Sequence, residues 1–559
     1  MDVPSTEAPY RREEARAAAG WAWSAGALAI AALIAAPILS VLWLAFHPTE
    51  NIWPHLLSTT LPRYLGNTLA LAALTGAFAA AVGTGAAWLI AMYRFPGSRA
   101  LEWLLLLPLS VPAFVGAWAL VDFLEYAGPV QSGLRATFGW ATARDYWFPD
   151  VKTRLGAAVV LASALYPYVY LLARAAFREQ PGGAYEVARA LGTAGPRLFW
   201  RVGLPLARPA IAAGTAIVMM ETVADYGVVS YFSVQTLTTG IFTTWLELRN
   251  AGGAAQIACL ILGLVLALVA VERASRNRLR HYQSARQPRP VARMALTGWR
   301  GAAAGLACAA PIAAGFALPV GVMGWHAAHA PGAFVAPGLV RALTHTLTTA
   351  CTAAAITVAL ALMMVYGARM AGRGLPRHLL PVTALGYAAP GAVLAVGLLI
   401  PLAALDHWLA DGLLAATGHD PGLLLTGSAA AIVLAYVVRF FAIAQGSTDA
   451  AFGRVSPSLP MAARSLGRTA GGTLRAVYLP LMRGTVGSAL LLVFVDCVKE
   501  LPATLLLRPF NYETLATRAQ EQASLERLSE ASPAALLIIA VGLVAVAFLA
   551  RATREKARR

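Results

Sequence analysis

The chain has 559 residues, of which 58% are hydrophobic and 13% charged, with a mean hydropathy of +0.63 and a formal net charge of +17. Soluble domains carry about 25% charged residues, so an ordinary soluble fold is excluded. Repeated apolar runs, each of about the 20 residues needed to cross a hydrocarbon core of about 30 Å, argue for a polytopic all-α membrane protein. The arginines cluster in alternate connecting segments, which is how membrane orientation is written, and no nucleic-acid role follows from the positive charge. Cys259, Cys308, Cys351 and Cys497 stand singly, without disulfide-framework or zinc spacing, and read as small core residues.

Residues 1–20 carry Arg11, Arg12 and Arg16 and read as a cytoplasmic tail before a retained first helix. Spans are expected near 24–46, 66–92, 101–124, 156–172, 209–232 and 254–271, which defines a first domain over 21–272. Pro108 and Pro112 should kink or break the third of these. Residues 273–299 hold seven arginines, no acid, and Pro288 and Pro290 near their end, as a basic cytoplasmic linker would. The pattern then repeats over 300–551, with spans near 301–325, 342–368, 378–404, 427–445, 484–507 and 532–550, before a basic tail at 552–559. About twelve spans result, with both termini inside. Asp406, Asp411, Asp420, Glu513, Glu521 and Glu526 fall in the expected outer loops.

The repeat is closest in two connecting segments. Glu186-Val187-Ala188-Arg189-Ala190-Leu191-Gly192 runs to Leu204-Pro205, and Met461-Ala462-Ala463-Arg464-Ser465-Leu466-Gly467 runs to Leu479-Pro480, offset by 275 residues without a gap. Outside the loops, Arg63, Thr68, Leu69 and Pro112 pair with Arg341, Thr346, Leu347 and Pro390 at an offset of 278. Each segment should form a helix of about two turns, a glycine-permitted turn, and a second helix closed by Leu-Pro. These two segments resemble the EAA loop of ABC-transporter permeases, so the chain looks like a fused permease pair with coupling loops near 184–205 and 459–480. The resemblance implies docking of ATPase subunits, two copies for two loops, at Glu186, Ala188, Gly192, Leu204 and Pro205, and at Met461, Ala463, Gly467, Leu479 and Pro480. Met461 stands where the family pattern has glutamate, so the second loop should dock more by packing than by charge. No lysine follows a G-x-x-x-x-G run, so the ATPase is expected on a separate chain and this one is not an enzyme.

The same offset places Glu221 on Asp496 and Asp225 on Glu500. Each pair is spaced i, i+4, which on one helix puts both carboxylates on a shared face, about 24–30 Å above the Leu-Pro at ~1.5 Å per residue. Ionisable groups at that depth default to a translocation pathway, and four carboxylates around a pseudo-two-fold axis suit a hard cation as transient metal ligands. The competing reading is that they pair with cations to hold the fold, Asp496 and Lys499 at i, i+3 being a concrete case. The stretches 221–227, 236–241, 496–509 and 513–517 resemble permeases of the ferric-iron uptake family. That resemblance implies Fe(III) as substrate, a periplasmic or surface-tethered binding protein as partner, and the bacterial inner membrane as location, with no cofactor held by this chain. Fused thiamine permeases share the layout, and a proton-coupled secondary transporter, in which the carboxylates would titrate, is the rival from another class. His326 and His329 read as a solvated helix end, the tryptophans as interfacial anchors, and residues 502–509 as a re-entrant or gate segment.

Overall fold

In lipid a backbone must satisfy its own hydrogen bonds, and long apolar segments do so as helices. The computed structural model describes residues 7–48, 50–193, 195–277, 293–370, 374–383, 386 and 389–558. Among them, 11 helices are long and apolar enough to cross a membrane, with the bent pair Ser98–Ser110 and Ala113–Phe138 as a possible twelfth span. That pair is bent by 95°. The break expected from Pro108 and Pro112 is therefore present: Leu107–Ser110 is a 3-10 turn, and Pro112 is the extended residue that starts Ala113–Leu124. Pro390 begins Gly391–Thr417 in the same extended conformation, so the span expected over 378–404 is divided there as well. Most of the basic linker, residues 278–292, lies outside the described residues.

The described residues form two compact units whose membership crosses the sequence repeat. One comprises 49–343 and 514–559. Its centre is Leu61–Met92, Arg154–Glu179 and Leu204–Ala224. Close approach of these helices depends on small residues: a Cβ at Gly83 would lie 2.8 Å from Val169 Cβ, and one at Gly214 2.8 Å from Val169 Cα. Tyr166 and Tyr170 are buried and donate to the Leu105 and Glu102 carbonyls at 3.0 and 2.9 Å, carrying the broken third span. Arg174 and Arg178 clasp the Glu102 carboxylate at 3.2 and 2.8 Å. Leu318–His329 and Leu528–Arg558, which come from the second half of the sequence, pack in this unit against the broken span. A Cβ at Gly542 would lie 2.6 Å from the Ser110 carbonyl oxygen.

The other unit comprises 1–48 and 344–513. Here the first helix of the chain, Glu7–Phe46, packs on Gly391–Thr417 and Leu375–Thr383. Gly367 abuts the Trp23 carbonyl, and Trp23 meets Tyr366 edge-on with ring centroids 4.9 Å apart. Ala430–Gly453 packs along Leu479–Val498.

Three expectations change. The 1–20 tail is helical from Glu7, because nothing between it and the first span breaks the helix. Asp406 and Asp411 lie within the Gly391–Thr417 helix and not in an outer loop. Asp406 is fully buried and accepts from the Leu424, Leu425 and Thr426 amides at 2.7–3.1 Å, which turns an expected surface acid into a tether for the returning chain. The fifth span starts earlier and ends sooner than 209–232, running Pro196–Ala224.

Candidate functional site

Both repeated loops fold alike. Gly182–Ala190 and Ser458–Ser465 are short amphipathic helices, each followed by a leucine and then a glycine with positive φ: Gly192 at 79° and Gly467 at 84°. Residues with a Cβ pay about 1–2 kcal/mol in that region, so the turn needs its glycine. The leucines before it, Leu191 and Leu466, are 80% and 84% exposed. Glu186 and Met461 are exposed at equivalent positions, while Ala463 is buried and Ala188 half-buried.

The chain then turns back through one π-helical turn in each copy, Phe199–Gly203 and Leu474–Tyr478. The helices Leu204–Ala224 and Leu479–Val498 begin at the Leu-Pro pairs. Pro205 and Pro480 therefore do not close a loop helix but lie inside the continuous spans Pro196–Ala224 and Ala470–Val498, where each π turn passes into regular helix.

An aromatic floor seats each loop. In the first copy the Trp88 indole meets Phe177 and Phe199 at 5.3 and 5.1 Å, and Gly203 backs onto the same ring. Gln180 donates to the Gly203 carbonyl at 3.1 Å and accepts from the buried Tyr185 hydroxyl, whose pKa is raised by burial. In the second copy Tyr366, Phe452 and Tyr478 make the floor, with Phe452 and Tyr478 4.7 Å apart. The Tyr366 hydroxyl donates to the Ala470 carbonyl at 2.7 Å, tying span to loop.

The carboxylates mark where both fifth spans stop. Glu221 lies in the last turn of its helix, but Asp225 is the residue after Ala224 and has extended backbone (ψ 138°). Its Oδ1 accepts from the Val228 and Val229 amides at 2.9 and 3.2 Å, which starts the short helix Gly227–Tyr231. Glu500 lies beyond Val498 and accepts from the Ala503 and Thr504 amides at 3.0 and 3.1 Å, starting Pro502–Leu507. The shared helix face expected for each pair is thus absent: the second carboxylate of each has left the helix to cap the next one. The segment at 502–509, expected to be re-entrant or a gate, contains that short helix.

Past each break a second cap repeats. Thr236 with Thr239, and Thr514 with Thr517, form reciprocal capping boxes on Leu237–Phe242 and Leu515–Ser524. The Thr238 hydroxyl donates to the Val223 carbonyl at 2.6 Å, satisfying an acceptor that the broken helix releases.

The two breaks differ in charge pairing. Asp496 is bridged to Lys499 at 2.8 Å, the structural pairing that the sequence spacing allowed. Glu500 is 4% exposed and faces Arg439 of Ala430–Gly453 at 3.8 Å, with Thr504 Oγ1 donating to it at 2.8 Å and Tyr436 bonded to Thr504 at 2.6 Å. Gly391 leaves room for this pair, since a Cβ there would lie 2.5 Å from the Glu500 carboxylate and 2.6 Å from Arg439. Arg439 was not legible in the sequence, having no counterpart at the repeat offset. Among the described residues no group of three or more His, Cys, Asp or Glu side chains is placed to hold a metal ion.

The histidine and tryptophan readings also need amendment. His326 is not merely solvated, because its Nε2 meets Asp122 at 3.0 Å on a neighbouring helix. His329 bonds its own helix at Trp325. Trp118 and Trp88 are core residues, whereas Trp43, Trp147, Trp299, Trp325 and Trp408 are exposed.

Both halves thus carry a helical span broken at a carboxylate cap and a loop with a glycine turn. Residues 56–281 match the family described as binding-protein-dependent transport system inner membrane component. That stretch carries a permease domain of this family, and the relatives that align with the chain are ABC transport permeases and not enzymes. It is 25% identical to the Fe(3+)-transport system permease protein of Haemophilus influenzae, over 85% of this chain and 87% of that one. It is also 25% identical to a probable sulfate transport system permease protein of Chlorokybus atmophyticus (44% of this chain, 86% of that one) and to the molybdenum transport system permease protein of Escherichia coli (36% and 87%). Among solved structures, a bacterial alginate ABC transporter in complex with an alginate pentasaccharide-bound periplasmic protein matches with a TM-score of 0.34 and 17% identity, over 44% of this chain and 87% of that chain.

Proposed function

We propose that this chain is the fused permease of an ATP-driven ferric-iron importer that receives its cargo from a binding protein and is driven by separate ATPase subunits. The observation that carries the cargo is the reach of the likeness: the Haemophilus ferric permease aligns across 85% of the chain and so spans both halves, while the sulfate and molybdenum permeases named above align over 44% and 36%.

In this reading the ATPases grip the two loops at the exposed Glu186, Leu191, Met461 and Leu466, and the glycine turns and aromatic floors keep the loops stiff enough to move the fifth spans. Glu221, Asp225, Asp496 and Glu500 lie at the ends of those spans. Glu221 offers the cargo transient carboxylate oxygens, and Asp496 does so when its bridge to Lys499 opens. Asp225 and Glu500, whose oxygens accept backbone amides, hold the breaks in shape and contribute only as their caps loosen.

The test is uptake of labelled ferric iron in cells lacking other iron routes, with labelled molybdate, sulfate and thiamine as controls, beside a Glu221→Gln/Asp496→Asn variant of matched membrane abundance. Iron uptake abolished by the variant supports cargo and pathway together. Iron uptake that survives it leaves the cargo and removes the pathway role. Uptake of an oxyanion or thiamine without iron overturns the ferric reading.

A further inference from the structure

The two loop floors are built to the same plan from different side chains. In the first copy Tyr185 is fully buried, Trp88 lies across the floor, and Glu102 is bonded to both Arg174 and Arg178. At the repeat offsets the second copy has Pro460 for Tyr185, Tyr366 for Trp88, Val455 for Gln180 and Leu380 for Glu102. Of these, Leu380, Val455 and Pro460 line a cavity of about 530 Å³ at the Ser458–Ser465 loop helix. That is within the usual range of small-molecule sites, about 300–1,000 Å³.

Its chemistry is one-sided. Arg369, Arg377 and Arg464 line it, with Asp449 as the one carboxylate among the lining residues, and that acid is bound to Arg369 at 2.9 Å. The lining therefore carries three cations against one anion, a formal excess of two positive charges. The rest of the wall is apolar, from Leu380, Phe452 and Pro460 among others. The three guanidinium groups come from three separate helices, Pro337–Met370, Leu375–Thr383 and Ser458–Ser465, so an anion held between them would brace the loop against the bundle. Planar guanidinium forks recognise phosphate oxygens in preference to a point charge.

From this we infer that the cavity behind the second loop is a binding site for a phosphate-bearing anion, held by Arg369, Arg377 and Arg464. The first copy meets the same structural need with Tyr185 and Trp88 and takes no ligand. The phosphate can come from an anionic phospholipid headgroup or from a free phosphate ester or inorganic phosphate. The site does not depend on the nature of the transported cargo.

The experiment is native mass spectrometry and equilibrium binding on the full chain in nanodiscs. One arm uses phosphatidylglycerol against phosphatidylcholine as the only lipid. The other adds inorganic phosphate or glycerol phosphate to phosphatidylcholine discs. Retention of phosphatidylglycerol alone assigns the headgroup as the source, and saturable binding of the soluble phosphates assigns a free anion.

Two variants test the location. Arg377→Ala removes an exposed cation without touching the packed floor, and should weaken binding about tenfold, the loss of one charge-assisted contact. Leu380→Glu imports the first copy's internal carboxylate and should abolish binding. Arg99→Ala, at the position equivalent to Arg377 in the first copy, should leave it unchanged. Equal binding by wild type and Arg377→Ala, if Leu380→Glu also binds normally while folded, overturns the proposal. So does failure of every phosphate probe to bind above its neutral control.

Discussion

Gly203 and Trp88 occupy one another's space: a Cβ on Gly203 would lie 2.9 Å from the indole Cη2. Their counterparts at the repeat offsets, Tyr478 and Tyr366, divide the volume differently, a smaller ring below and a large side chain above, with centroids 5.7 Å apart. Each floor keeps its loop seated by a different split of the same volume, so the two solutions do not mix.

It follows that Gly203→Ala should destabilise the protein by about 1–3 kcal/mol through overpacking. Trp88→Tyr in the same chain should recover part of that loss. Thermal unfolding of the single and double variants in nanodiscs checks this, and an additive double variant would show that the two sites do not share the space.

The positive φ of Gly192 and Gly467 gives a second expectation. Valine at either position should cost about 1–2 kcal/mol and loosen the turn after the loop helix. Hydrogen exchange over residues 186–200 or 461–475 should quicken in the corresponding variant alone, and transport should fall with the membrane abundance of the chain unchanged.

Asp225 and Glu500 cap equivalent short helices, but Glu500 also faces the partly buried Arg439. Asp225→Ala should cost about 0.5–2 kcal/mol for the lost cap. Glu500→Ala should cost more, about 3–5 kcal/mol, because Arg439 is left as an uncompensated, partly buried charge. An Arg439→Met/Glu500→Gln double variant should be milder than Glu500→Ala. Similar unfolding temperatures for the two alanine variants would contradict the role given to the ion pair.

In the segment between Pro129–Phe138 and Arg154–Glu179, Asp145 accepts from the Thr142 and Ala141 amides at 2.7 and 2.8 Å, and these bonds lower its pKa from the ordinary 3.8. A depressed folded pKa contributes order that is present above the unfolded value and is lost as pH falls through the folded one. The Ala141–Thr142 amides should therefore stay protected down to about the ordinary aspartate range and exchange faster below it. Asp145→Asn should remove that pH dependence in exchange measurements normalised for intrinsic rate.

Much of the plan was legible in residue order. Span number followed from apolar length, the third-span break from Pro108 and Pro112, and the two loops from their glycine and Leu-Pro spacing. The carboxylate pairs were read on one helix face, which the structure does not have, because i, i+4 spacing assumes the helix continues. Pro502, two residues after Glu500, was the available signal that a new helix starts there. Asp406 was misplaced for a related reason, since charge suggests an outer loop unless a partner within the fold is known.

The sequence by itself determined the membrane class, the duplicated order of elements and the loops, because these depend on local hydropathy and on backbone rules that act over a few residues. Tertiary structure alone decided that helix Glu7–Phe46 packs with residues 344–513 while Leu318–His329 and Leu528–Arg558 pack with residues 49–343. It also decided that Arg439 faces Glu500, and that Arg369, Arg377 and Arg464 line one cavity at the second loop. Each of these joins residues tens to hundreds of positions apart, and such contacts are selected by side-chain volume and by the need to pair every buried charge, not by spacing along the chain.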